Sequence, residues 1–142
     1  MENYETLSTT ADVGIRIRGK GYDGLFKNAV KALNLLYFDD SAERIGTPGD
    51  APAHRYPFEF HGDGCENVLV NFLSEIVYLL QVENKITTGI EVHEASETHI
   101  NADLFTIPCN LEPELEIKSV TYHNLAVTET NGIKCAEIIF DI

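Results

Sequence analysis

Val13, Ile15 and Ile17 alternate with Gly14, Arg16 and Arg18 ahead of Gly19. That period of two belongs to a half-buried strand, whose successive side chains point to opposite faces. A shorter strand is expected just before it, around Tyr4–Leu7. From Tyr22 the period lengthens: Leu25, Phe26, Ala29, Val30, Leu33, Leu36 and Tyr37 recur at three- and four-residue steps, the spacing of one helix face, and predict a helix over about 22–37. Residues 39–55, DDSAERIGTPGDAPAHR, show no period and carry two Pro and two Gly. They read as a loop, of a length that often has a function.

Tyr56, Phe58 and Phe60 then alternate with Pro57, Glu59 and His61. The strand this predicts must keep Pro57 at its start or on a sheet edge, because proline has no N–H for a ladder. Helical spacing returns with Val68, Leu69, Phe72, Leu73, Ile76, Leu79 and Leu80. Asp63 in the cap region and Glu66 three residues later suggest a capping box and a helix over about 64–82. The remainder reads as strands near 86–94, 98–107, 115–128 and 133–141, without internal repeats. Asn131-Gly132 between the last two is a type I′ hairpin signal, since both positions must take positive φ. With a two-residue loop, Thr130 faces Ile133, and an unbroken ladder would oppose Tyr122 to Asp141, Thr121 to Ile142 and His123 to Phe140. Two amphipathic helices among some seven strands, without strict alternation, predict an α+β fold, both helices packed on one face of a mixed, largely antiparallel sheet.

The length of 142 residues suits one domain spanning 1–142, and 44% hydrophobic with 23% charged residues is a globular composition. Ten Lys and Arg against 23 Asp and Glu give a formal net charge of −13. Affinity for phosphate backbones rests on Lys and Arg, and no local basic patch is visible, so a basic protein or a cation is the expected partner and RNA contact, if any, is indirect. The N-terminus lacks a basic segment followed by an apolar run, so the mature chain is expected to start here. The longest apolar stretch, Val68–Leu80, is interrupted by Asn71, Ser74 and Glu75 and falls short of the ~20 residues needed to span a bilayer. Cys65, Cys109 and Cys135 form no C-x-x-C pair, which fits a reducing compartment, with the cytoplasm as default.

The sequence closes on Ile139-Phe140-Asp141-Ile142, so a strand is expected to end with an aspartate beside the main-chain carboxylate. Such a pair is mutually repulsive unless cations or solvent neutralise it. Asp12, at the head of the first long strand, would complete an all-oxygen site suited to calcium, magnesium or manganese. The plainer alternative, favoured by spacing alone, has Asp12 capping a turn and Asp141 on a solvated end. His123 in Thr121-Tyr122-His123 could serve as base or ligand, although these are also ordinary strand residues. His54, His61, His93 and His99 lack metal-ligand spacing and read as surface histidines. Cys65, near a helix start but flanked by Asp63 and Glu66, reads as an inert thiol. No nucleotide-binding glycine motif or nucleophile elbow is present.

Four segments in order resemble the archease family: Thr10-Ala11-Asp12-Val13-Gly14-Ile15 followed by Leu25-Phe26 and Asn28-Ala29; ENVLVNFLSEIVYLL over Glu66–Leu80; Ile117 to His123, IKSVTYH; and the closing Ile138 to Ile142, IIFDI. The resemblance implies a two-layer α/β sandwich with a divalent-cation site, calcium foremost, built from Asp12, Asp141 and Ile142. Asp39, Asp40, Tyr122, His123 and Lys118 are candidates for the ring of groups around those ligands. It further implies an accessory of RtcB-type tRNA-splicing RNA ligases that promotes their guanylylation by GTP and their multiple turnover, with no substrate of its own. One departure stands out: Ser8-Thr9 occupies the place where the family commonly has Asp-His, which would weaken the site or its coupling to a ligase. Two other readings stay open, a chaperone-like modulator of a tRNA-modifying enzyme and a small metal-dependent hydrolase using Asp12, Asp141 and His123.

Overall fold

The computed structural model describes residues 3–8, 12–45 and 53–142. Its elements are β1 (Tyr4–Ser8), β2 (Asp12–Lys20), α1 (Gly21–Phe38), a 3-10 helix (Asp39–Arg44), β3 (His54–His61), α2 (Cys65–Gln81), β4 (Lys85–Ala95), β5 (His99–Pro108), β6 (Ser119–Val120), β7 (Thr128–Thr130) and β8 (Ile133–Asp141). Among the described residues no helix is long and apolar enough to cross a membrane.

The expected α+β fold, with two helices packed on largely antiparallel strands, holds. Every ladder among the described residues is antiparallel, and the strands divide into two sheets. One has the order β1-β2-β8-β6, with β7 also on β8; the other has the order β3-β5-β4. Alternation decides what each sheet buries. Ile15 and Ile17 of β2, Ala136, Ile138 and Phe140 of β8, and Ile100, Ala102 and Leu104 of β5 are all buried, and they form one continuous cluster with the apolar faces of both helices. At its centre Phe26 of α1 meets Phe72 of α2 edge to face, with ring centroids 5.0 Å apart, and Phe58 of β3 reaches the same ring at 6.1 Å. Truncating such a side chain to alanine typically costs about 3–5 kcal/mol.

Local chemistry sets the ends of the elements. Asp39 takes φ 47, and its N–H bonds to Leu35 O, closing α1. The chain then tightens into the 3-10 helix instead of opening at once into the expected loop; residues 46–52 of that loop lie outside the described residues. The capping box expected at α2 does not form. Gly64 is the N-cap, without a side-chain cap bond, and Glu66 turns away to accept the N–H of Val127 at 3.1 Å. Pro57 sits on β3, an edge strand, as its missing N–H requires.

The hairpin signal holds: Asn131 and Gly132 have φ 54 and 81, and Thr130 pairs with Ile133. The unbroken ladder beyond it does not. β7 keeps the two-residue register only to Thr128 opposite Cys135, after which Ser119 pairs with Asp141 and Val120 with Phe140. Tyr122, Thr121 and His123 are therefore not the partners of Asp141, Ile142 and Phe140; the register slips by three residues. The expected strand over 115–128 survives as two short pieces around a turn in which Asn124 takes φ 52 and Leu125 N–H bonds to Tyr122 O. Asn67 donates to the hydroxyl of Tyr122 at 2.9 Å, so Glu66 and Asn67 of α2 offer this segment partners that compete with the ladder.

A second helix-to-strand link uses one side-chain amide as if it were a peptide group. Gln81, the last residue of α2, donates from Nε2 to Ile117 O at 2.9 Å and accepts the Ile117 N–H at Oε1 at 2.8 Å. The hydroxyl of Tyr37 donates to the same Oε1. Burial pushes the Tyr37 phenol above its ordinary ionisation range, with Glu116 adding to the effect, so the hydroxyl keeps its proton and remains a donor.

Two predictions follow from this packing. A Cβ on Gly19 would lie 2.1 Å from the carbonyl carbon of Gly24, where β2 and α1 meet backbone to backbone. Gly19→Ala is expected to cost about 1–3 kcal/mol in urea unfolding, as overpacking does, whereas Gly89→Ala, with nothing within 4 Å of the added atom, should stay within about 0.5 kcal/mol. On the outer face of the three-stranded sheet, hydrogen bonds from Arg55 and then His93 hold the Asp103 carboxyl below the usual aspartate range. A carboxyl more acidic when folded stabilises the fold above its unfolded pKa and loses that contribution as pH falls through the folded value. The melting-temperature difference between wild type and Asp103→Asn should hold from neutrality to roughly pH 4 and shrink below it.

Candidate functional site

The ladder between β2 and β8 pairs Asp12 with Asp141, Gly14 with Ile139, Arg16 with Glu137 and Arg18 with Cys135. Because side chains alternate, these residues all share the face turned away from the buried Ile15, Ile17, Ile138 and Phe140. The outer face carries a hollow of about 620 Å³, with Asp12, Arg16 and Arg18 on one side, Glu137 and Ile139 on another, and His123 leaning in from the turn.

Charge is ordered along this face. Arg16 bridges two strands, meeting Glu5 of β1 at 2.5 Å and Glu137 of β8 at 3.3 Å. Two turns of the pleat away, the row holds two like charges, Asp12 and Asp141, directly opposite each other. Facing residues of an antiparallel pair have Cβ atoms about 4.5–5.5 Å apart, and like charges there are destabilising. β6 extends the row, since Ser119 pairs with Asp141. The backbone on that side is held by the Lys118 N–H on Asp141 O at 2.7 Å and by Thr121, whose N–H and hydroxyl both donate to Ile139 O at 3.0 and 2.8 Å.

The candidate residues divide accordingly. Asp12 and Asp141 pair across the ladder, and His123 lines the hollow that Asp12 borders, its N–H on the Thr121 hydroxyl at 3.3 Å and its Nε2 against the Asn124 amide at 3.3 Å. Ile142 follows Asp141 and is exposed. Lys118 touches Asp141 through its backbone while lining a different depression beside Tyr78. Tyr122 points to Asn67 at the start of α2. Asp39 and Asp40 line another depression, with Tyr4, Lys31 and Thr88, and share none of its lining with the Asp12 hollow. Thr9, Thr10, Ala11 and the side chain of Ser8 lie outside the described residues. Cys65 is buried, and burial pushes its thiol up to about 11, with Glu66 adding to the effect, which agrees with an inert thiol.

Sequence reasoning passed over Arg16 and Arg18 as parts of this site, although they share the alternation phase of Asp12 in one strand. It also could not foresee that Glu66 and Asn67 anchor the turn bearing His123, a contact between elements with no local signal.

Residues 4–142 match the profile of the archease protein family (MTH1598/TM1083). The chain belongs to the archease family. Curated archeases of Methanosarcina barkeri and Thermoplasma acidophilum are 30% and 31% identical to it, each over 99% of this chain and over 97% and 94% of their own length. Two solved structures share the fold. The solution structure of Methanobacterium thermoautotrophicum protein 1598 has a TM-score of 0.70 and 21% identity, with both chains fully covered. The crystal structure of a Thermotoga maritima archease, described as a possible chaperone, has a TM-score of 0.61 and 16% identity over 96% of this chain and 94% of that one.

The facing carboxylates of this archease make a prediction whose sign is informative. In the presence of a chelator, Asp141→Asn removes one of two opposed like charges and should raise the unfolding free energy by about 0.2–1 kcal/mol, read from urea titrations at neutral pH.

Proposed function

We propose that this archease is an accessory of an RtcB-type RNA ligase, promoting the ligase's guanylylation and multiple turnover in tRNA splicing or RNA repair through an acidic divalent-cation site. The observation that carries this reading is the cross-strand pairing of Asp12 with Asp141. Two carboxylates projecting from one position of a rigid ladder make a hard, oxygen-only donor set, which suits calcium first and magnesium or manganese next. Asp12 and Asp141 would hold the ion, with a main-chain oxygen of Ile142. When bound, the ion supplies positive charge and open coordination positions for oxygen groups of the partner.

The chain's own residues do the rest. The ladder keeps the two carboxylates at a fixed separation. The Lys118 and Thr121 bonds to β8 hold its end in place, and the turn held by Glu66 brings His123 over the hollow. The net charge of −13 favours a basic protein surface over RNA. The residues act by biasing the ligase toward its guanylylation-competent arrangement, which requires a difference in affinity between two ligase states. GTP is consumed by the ligase, and this chain carries no substrate of its own. Residues 1–142 act as one unit, in the cytoplasm.

The deciding experiment is multiple-turnover RNA ligation by the cognate ligase with GTP and divalent metal, with no addition, with wild type and with Asp141→Ala. Wild type should stimulate, and the variant should lose that stimulation. No stimulation by wild type would remove the ligase reading. A description of the Thermotoga relative as a possible chaperone favours a second reading, a chaperone-like modulator of a tRNA-modifying enzyme in which metal is incidental; stimulation that survives in the doubly substituted Asp12→Ala, Asp141→Ala protein would support it. Adding calcium should also invert the stability order above: wild type gains, Asp141→Asn gains little, and the denaturation midpoint of wild type rises with calcium concentration.

A further inference from the structure

On the other sheet, the outer face of β3 and β5 brings two neighbouring residues of one strand against a third that is distant in sequence. His61 and His99 are directly opposed at the end of the ladder, and Glu59 lies two residues back on the same face of β3. The two imidazoles stack with centroids 3.9 Å apart and 10° between their planes. A single carboxylate oxygen, Glu59 Oε2, lies 2.7 Å from His99 Nε2 and 3.5 Å from His61 Nε2. The three donor atoms all fall within 4.8 Å of one another. The other nitrogen of His99, Nδ1, faces Glu94 Oε1 of β4 at 3.4 Å.

We infer that Glu59, His61 and His99 form a binding site for a zinc-class divalent transition-metal ion, with Glu94 as a positioning residue. Tetrahedral bonds of about 2.0–2.2 Å to N and O ligands put neighbouring donors about 3.4 Å apart, and the observed separations bracket that value. His61 has to move most, because stacked rings aim their lone pairs in parallel and the His61 ring must swing to make them converge, while Glu59 draws back from its 2.7 Å contact with His99. The His61 side chain is 73% exposed, so nothing packed resists the motion. His99 is only 13% exposed and is already oriented. Its Nδ1 faces Glu94 Oε1 at 3.4 Å; a proton held there leaves Nε2 to ligate once the metal displaces the Nε2 hydrogen bond to Glu59, the carboxylate–imidazole–metal relay that fixes the tautomer and raises ligand basicity.

Two imidazoles and one carboxylate form a borderline donor set, unlike the all-oxygen pair on the opposite sheet, so the two sites sort metals by ligand softness. Glu59 and Glu94 together balance a dipositive ion. The fourth coordination position faces solvent and is left to water or to an external donor. The ligands stand on paired strands: beyond the His61–His99 pair, the Gly62 N–H bonds to Thr98 O at 2.8 Å and the Ser96 N–H to His99 O at 2.8 Å, so backbone motion at the site is small.

The test is titration of the untagged, full-length chain with Co²⁺, read by visible d–d absorption, and with Zn²⁺, read by calorimetry and by imidazole NMR shifts. The expected result is one equivalent of tetrahedral Co²⁺ displaced by Zn²⁺, with shifts confined to His61 and His99. His61→Ala, whose fold is checked by circular dichroism, should lose the Co²⁺ band, and Glu94→Ala should weaken Zn²⁺ binding roughly 10–100-fold. The Asp12→Asn, Asp141→Asn protein should bind Zn²⁺ as wild type does. Absence of stoichiometric binding, binding unchanged in His61→Ala, or binding lost in the Asp12, Asp141 variant would each overturn the proposal.

Discussion

The ladder between β2 and β8 is the constraint on which the rest of the molecule depends. Its nine pairs run without a bulge from Asp12 opposite Asp141 to Lys20 opposite Ile133, and one phase of alternation assigns both faces at once. Ile15, Ile17, Ile138 and Phe140 go to the helices, and Asp12, Arg16, Glu137 and Asp141 go to solvent. A slip of either strand by one residue would turn its own apolar set to solvent, Ile15 and Ile17 or Ile138 and Phe140, and bury its charges. Burial of the core therefore also sets Asp12 opposite Asp141.

How much was legible in the sequence follows from what each signal reports. The helices at 21–38 and 65–81, the strand bearing Ile15 and Ile17 and the hairpin at Asn131-Gly132 each write their cause into neighbouring residues, as spacing or as turn chemistry, and each was found to within about two residues. The segment over 115–128 was not, because its outcome turns on contacts from a distant helix. Threonine, tyrosine and valine there favour a strand, but the left-handed turn at Asn124 and the partners offered by Glu66 and Asn67 draw the chain out of register. The capping box failed for the same reason, Glu66 being engaged elsewhere. For the candidate site, Asp12 and Asp141 were nameable from their places in the chain and by family resemblance, while their juxtaposition needed the pairing. The Glu59, His61 and His99 group had only a faint trace, two polar residues on the non-aromatic face of a strand, since its third member comes from another strand.

Each sheet has a different electrostatic character on its outer side. The face of β2 and β8 alternates opposed charges around Arg16 with a like-charged row at Asp12 and Asp141. The face of β3, β4 and β5 interleaves imidazoles with carboxylates. Both helices and the inner sides of the two sheets share one apolar cluster. A partner approaching one face therefore meets a field set by residues that do not belong to the other.

The bond pair between Gln81 and Ile117 bears on how a sheet edge is protected. Unpaired strand edges offer a template on which a second chain can add, and proteins suppress this by shortening, bending or covering them. Here the edge beyond β8 carries only the short strands β6 and β7, and the backbone next to β6 is already satisfied by a helix side chain. β3 exposes Pro57, which has no N–H to offer, and β4 is interrupted by irregular pairing between Thr87 and Gly89 and between Val92 and Glu94. Three of the sheet margins thus carry features that discourage sheet-to-sheet aggregation, which leaves the faces of the sheets, and not their edges, as the surfaces open to other molecules.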